Sequence, residues 1–170
     1  MGSIQYDVKQ AHINASGFLV RGRTRVKSVS FTGTATAGTV SMFDTLTAPV
    51  TTATYGRSGT TVTVTSTAHG LATGAAIGVA FAAGTGGTGT DGNYVITRVD
   101  ANTFTLTDIN TGAITAGAAM VYSGRWLMTF DVSASDTFNN VSLIPGDGVV
   151  AYNGVYAHMT NLDATNIFYG

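Results

Sequence analysis

The chain has no cysteine and no glutamate, only two prolines, and charged residues at just 10% of its 170 positions. Each shortage excludes something. Without cysteine there is no disulfide scaffold, no thiolate metal site and no thiol nucleophile. Without glutamate, and with 22 glycines and 29 threonines, the composition is poor in helix formers, so neither a coiled coil nor a helical bundle is expected. Eight Lys and Arg against nine Asp leave a net charge of −1. A sequence-independent nucleic-acid binder carries a large positive excess, so no nucleic-acid partner is expected. No run of 18 apolar residues occurs, so no spanning helix and no membrane partner are expected. Met1 to Ser16 contains Asp7, Lys9 and His12 and lacks the apolar stretch of a signal peptide.

What is present reads as strand. The content is 44% hydrophobic and 9% aromatic, which argues against disorder. Thr60 to Thr67 alternates Thr and Val as a half-buried strand does. Phe18 to Phe31 reads as one long strand or two joined strands, with Val20, Thr24 and Val26 on one face. Val29 and Phe31 switch the apolar parity, which predicts a bulge or a crossover between two sheets. Asn153-Gly154, flanked by Val149 to Tyr152 and Val155 to Met159, is the strongest short hairpin signal. Trp126, Met128 and Phe130 form an apolar face at strand spacing, expected in a core. No segment has helical periodicity.

The expected fold is all-β: a β-sandwich, possibly a jelly roll, with a small β domain inserted in one loop. The outer domain takes residues 1–52 and 124–170, and the inserted domain residues 53–123. The Gly-, Thr- and Ala-rich stretches Thr47 to Gly59 and Thr111 to Gly124 serve as junctions.

The inner block carries Ser58-Gly59-Thr60-Thr61-Val62-Thr63-Val64-Thr65, then Ala68-His69-Gly70-Leu71 and Gly74, then Gly92-Asn93-Tyr94 and Asn102-Thr103-Phe104-Thr105-Leu106. In this it resembles a small β module found repeatedly in tailed-bacteriophage virion proteins. The usual Gly-Asp after the turn is here Gly74-Ala75. The outer halves are similar to a short virion protein of marine and cyanobacterial podophages. That likeness runs through Gly17 to Phe31, Ile144-Pro145-Gly146-Asp147-Gly148-Val149, and Thr160-Asn161-Leu162 to Phe168-Tyr169-Gly170. Together the two resemblances imply a head decoration (cement) protein, or a small component of a tail or fibre. The implied partners are the major capsid protein and neighbouring copies of the chain, as trimer or dimer. The implied location is the outer surface of the capsid.

The side-chain chemistry points the same way. His12, His69 and His158 are dispersed, and no metal or cofactor is expected. His69 is expected to hold its turn through ring hydrogen bonds. No G-x-S-x-G elbow and no supported carboxylate pair occur, so no enzymatic activity is expected. Gly84 to Gly92 reads as a flexible loop without the Gly-Lys-Ser/Thr ending of a phosphate loop. Its Gly84, Thr88 and Asp91 are the candidate receptor-facing residues, with Tyr55, Tyr94 and Tyr122 as aromatic candidates for a host glycan. The main charge feature is the row Arg21, Arg23, Arg25 and Lys27, half of the chain's cations at a spacing of two. It is the candidate capsid or partner interface. Met1 to Ser16, polar and weakly patterned, is expected to be an arm that orders on binding.

Overall fold

The structure, a computed structural model, describes residues 8–48, 51–122, 124–134 and 139–170. Its contacts divide the chain into two units, one of residues 1–46 and 127–170, the other of residues 47–126. Both are built from antiparallel strands, and no helix occurs among the described residues. The fold is all-β.

The first unit contains β1 (Lys9–Ile13), β2 (Gly17–Arg21), β3 (Thr24–Gly33), β4 (Gly38–Thr45), β12 (Gly124–Val132) from Leu127 onward, β13 (Asn139–Leu143), β14 (Val149–Ala151), β15 (Gly154–Thr160) and β16 (Leu162–Tyr169). One sheet has the order β1-β16-β3-β13, with β14 also on β3, and the other the order β12-β4-β15-β2. β13 and β14 pair with successive stretches of β3, so they act as one interrupted strand. Counted that way, eight strands run 1-8-3-6 in one sheet and 5-4-7-2 in the other. This is the jelly-roll order, in which two Greek keys share a sandwich. Val26, Val29 and Ile167 from one sheet meet Val40, Met42, Val155 and Ala157 from the other, all fully buried. The half-buried Met128 and Phe130 of β12 pack on this core, and Phe130 lies 5.7 Å from Phe31 between ring centroids.

Of two sequence signals, one resolves within its expected alternatives and the other does not. The parity switch in β3 is a bulge: Phe168 pairs with Ser28 and the next residue, Tyr169, with Val26, so Lys27 is the extra residue. Asn153-Gly154 does make a turn, but no hairpin. β14 pairs with β3 and β15 with β2 and β4, so the turn carries the chain from one sheet to the other. The buried Asp44 carboxylate explains this. It accepts the main-chain N–H groups of Tyr152, Asn153 and Gly154 at 2.8 to 3.3 Å, which fixes the corner without a paired strand. The expected N-terminal arm is strand in its later part. β1 pairs with β16 over its full length, and the Ser16 hydroxyl accepts the Met159 N–H. Met1 to Asp7 lie outside the described residues.

The second unit contains β5 (Thr51–Ser58), β6 (Thr61–Thr65), β7 (Ala76–Phe81), β8 (Gly92–Val95), β9 (Thr97–Arg98), β10 (Thr103–Thr107) and β11 (Ile114–Tyr122). They form one sheet in the order β8-β7-β11-β5-β6-β10-β9. Its two end strands, β8 and β9, are separated in the chain by Ile96 alone, so the sheet is a nearly closed barrel. The alternation of β6 does what its sequence predicts, since Val62 and Val64 are fully buried between exposed threonines. Phe104, Leu106, Ile77, Val79, Ile114 and Val121 complete the barrel core. The stretches read as junctions, Thr47 to Gly59 and Thr111 to Gly124, contain β5 and β11, two central strands.

Candidate functional site

The basic row does not lie on one strand. Gly22, at a positive φ of 100°, ends β2, and its N–H donates to the Asn153 carbonyl at 2.7 Å. There the chain leaves one sheet for the other. Arg21 belongs to the sheet of β2, Arg23 to the corner, and Arg25 and Lys27 to β3. The four are thus divided between the two sheets and the corner that joins them. Arg21 is exposed, its guanidinium carbon 3.9 Å from the Phe18 ring centroid. Arg23 is also exposed and lies 5.8 Å from the ring of Tyr152. Each ring offers the cation an electrostatically favourable face. Arg25 is half-buried, 3.4 Å from the Asp147 carbonyl and 4.0 Å from its carboxylate. Lys27, half-buried, sits at the bulge. Arg23 and Arg25 open onto a cavity of about 270 Å³ lined also by Thr24, Val150 and Gly170.

The second candidate is the 84–92 loop of the barrel. It is held against the barrel wall, a correction to its reading as flexible. Thr85 and Thr115 exchange main-chain hydrogen bonds at 2.8 and 2.9 Å. The Gly89 N–H donates to the Tyr55 hydroxyl at 2.9 Å, which itself donates to the Ala82 carbonyl. The glycines here serve close approach. A Cβ on Gly89 would stand 2.7 Å from the Phe81 ring, and one on Gly84 2.8 Å from the Thr115 carbonyl oxygen. Of the candidate residues, Thr88 is exposed while Gly84 and Asp91 are half-buried. Asp91 Oδ1 accepts the Phe81 N–H at 2.8 Å, so it secures the end of β7.

Beneath the loop is a cluster that the sequence did not announce. The buried Asp108 Oδ2 accepts Arg57 Nη1 at 2.5 Å and the Thr90 N–H at 3.3 Å. Its Oδ1 accepts the Thr90 hydroxyl at 2.6 Å and the Asn110 N–H at 3.1 Å. Arg57 spends its other donors on the Gly112 and Thr111 carbonyls. Burial works to raise the Asp108 carboxyl, and the hydrogen bonds from Thr90, Asn110 and Arg57 overcome it and hold the group below the usual carboxylate range. Tyr94 donates its hydroxyl to the Thr90 carbonyl, and burial, with the nearby charges of Asp108 and Asp91, pushes it up to about 12. Beside this cluster a cavity of about 480 Å³ is bounded by residues 91–95 and 107–109.

His69 fulfils its expected part. Nδ1 accepts the Leu71 N–H at 3.1 Å, which makes Nε2 the donor to the Asp100 carbonyl at 3.2 Å. The His69 ring also meets Phe104 edge-on at 5.1 Å. Of the aromatic candidates, Tyr55 is buried and Tyr94 half-buried, and the Tyr122 side chain lies outside the described residues. Among the described residues, no three His or Asp are grouped as a metal ion requires.

No protein-family model matches the chain, and no curated protein does. Among solved structures, the phage phi92 endosialidase is similar over 56% of this chain and 14% of its own, at 23% identity and a TM-score of 0.31. The chain thus spans a small part of that protein, and a likeness of this size assigns it neither fold nor activity. One expectation is corrected by it. The expectation of no enzymatic activity is not upheld: the protein similar to part of the chain is an enzyme by its printed name.

Proposed function

We propose that the chain is a structural component of a tailed-phage particle. In this reading the jelly roll attaches to the particle and the barrel is the displayed unit. The observation that carries it is the combination of two separately cored β units in one chain, with the barrel entering between the fourth and fifth strands of a jelly roll. Jelly rolls recur in viral capsid and lectin domains, and the sequence motifs of both units resemble virion proteins. Insertion between two strands leaves the sandwich core intact.

The finer reading is capsid decoration. The partners are then the major capsid protein and neighbouring copies, and the corner of Arg21, Arg23, Arg25 and Lys27 is the contact surface. Contacts that exist only across assembled shell subunits stabilise the assembled state by mass action. A second reading, a tail or fibre component that meets a host receptor, draws on the exposed Thr88 and the 480 Å³ cavity, both on the barrel. Mass spectrometry of gradient-purified particles tests the common ground of both readings. Peptides of this chain should co-purify with full particles, and their absence would remove both.

A further inference from the structure

Three residues lie abreast where the first sheet meets the corner. Gly170 donates its N–H to the Arg25 carbonyl and accepts the Arg25 N–H, both at 3.2 Å, and Val150 of β14 pairs with Arg25 from the other side. Opposite residues in an antiparallel ladder share a face. Val26, the next residue of β3, is fully buried in the sandwich core, so Arg25 takes the outer face. Gly170 brings no side chain to this rung, and the rung opens as the 270 Å³ cavity that Arg23 and Thr24 also line.

Two guanidinium groups meet that cavity with most of their donors unused. Arg23 is exposed, lies 5.8 Å from the Tyr152 ring and has no hydrogen-bond acceptor among the described residues. Arg25 reaches the Asp147 carbonyl at 3.4 Å and its carboxylate at 4.0 Å, both at the limit of such contacts, and Asp147 is 93% exposed. The buried Asp44 carboxylate under the same corner is engaged by the N–H groups of Tyr152, Asn153 and Gly154. Among the described residues, no side-chain carboxylate lines the cavity.

The arrangement suits one planar oxyanion and not a polyanionic strand. A nucleic-acid backbone is met by cations along its length, whereas here Arg21 stands over Phe18 on the other sheet and Lys27 is half-buried at the bulge. A carboxylate can take two parallel N–H···O bonds from a guanidinium fork. Beside Arg23, Tyr152 is 61% exposed, and tyrosine and arginine are the residue types that carry protein interfaces.

We propose that the cavity between Arg23 and Arg25 takes the side-chain carboxylate of an acidic segment on a partner protein, with Tyr152 packing against the stem of the inserted side chain. This rests on the reading of the basic corner as a contact surface, and narrows that surface from four cations to two.

Two measurements on the full-length chain test it. In the first, the chain is titrated with an Asp-rich peptide while its arginine Nε–Hε resonances are followed. The peptide should shift Arg23 and Arg25 and leave Arg21 in place. No shift at either would overturn the proposal, and so would a thymidine oligonucleotide that shifts them at lower concentration than the peptide. In the second, binding to stripped particles is compared among Arg21→Lys, Arg23→Lys and Arg25→Lys, with circular dichroism to confirm the fold of each. Lysine keeps the charge and loses the fork, so Arg23→Lys and Arg25→Lys should each weaken binding about tenfold. Arg21→Lys should stay within about twofold of wild type. Equal losses at all three positions would overturn the two-arginine site and leave the corner as a contact surface. Full binding by a chain with all four cations replaced by Ser would overturn the reading of the corner itself, and the titration then decides the site without the particle.

Discussion

Arg57 Nη1 stands 2.5 Å from Asp108 Oδ2, with side-chain exposures of 7% and 0%. The pair is 51 residues apart in sequence and joins the inward face of β5 to the end of β10. Because Thr90 is bound to the same carboxylate, the pair also fixes the 84–92 loop. Removing one partner leaves the other charge buried, at a cost of about 3 kcal/mol or more. Asp108→Asn should therefore lower the barrel's stability by that amount and raise hydrogen exchange at the amides of Gly89 and Thr90. The depressed Asp108 carboxyl contributes stability that is present above its ordinary value of 3.8 and lost as pH falls through its lower folded value. Barrel exchange rates that do not change in Asp108→Asn would contradict this role.

Thr165 tests the sandwich core. Its side chain is fully buried on the same face as Ile167, and its hydroxyl has no hydrogen-bond partner among the described residues. Thr165→Val keeps the shape and removes the unsatisfied group, and should stabilise the jelly roll by about 1 kcal/mol. A denaturant midpoint that falls would show that the hydroxyl is satisfied in solution.

His158 gives the sandwich a pH dependence. Burial pushes its imidazole below the ordinary 6.5, so the folded state holds it neutral while the unfolded chain takes up a proton. Stability is then complete above about 6.5 and declines as pH falls below it. His158→Gln should flatten the dependence of Tm between pH 5 and 7.5. Wild type and variant with identical profiles would remove His158 as its source.

The basic corner separates attachment from folding. Arg21 and Arg23 are exposed and Arg25 reaches only an exposed Asp147, so replacing Arg21, Arg23, Arg25 and Lys27 with Ser should change stability little. Binding to stripped particles should weaken, and wild-type binding should fall as salt rises. Unchanged binding by a well-folded variant would make the corner a solvated surface.

Local periodicity explains what was legible in the sequence. Val62 and Val64 alternate with threonine over a few residues, and the structure buries them where the pattern puts them. The parity switch at Lys27 was likewise visible as an expected bulge. The failures all involve distance in sequence. β5 lies in a stretch that reads as a junction because its inward positions are Ala53, Tyr55 and Arg57, and a buried arginine breaks an apolar pattern unless Asp108 faces it. Asn153-Gly154 signals a turn, but which sheet receives β15 depends on Asp44, more than 100 residues earlier. The 84–92 loop reads as flexible because glycine serves flexibility and close packing alike, and only Tyr55 and Phe81 against it decide which. At the basic corner, residue types and spacing were legible, whereas their division between two sheets was not.

The most direct measurement is the copy number of this chain in purified particles, by quantitative mass spectrometry against the major capsid protein. Capsid decoration predicts a lattice-defined ratio, one-to-one or a simple fraction of the shell subunits. A few copies per particle would contradict decoration and move the chain to the tail or a vertex, with the barrel as its receptor-facing unit.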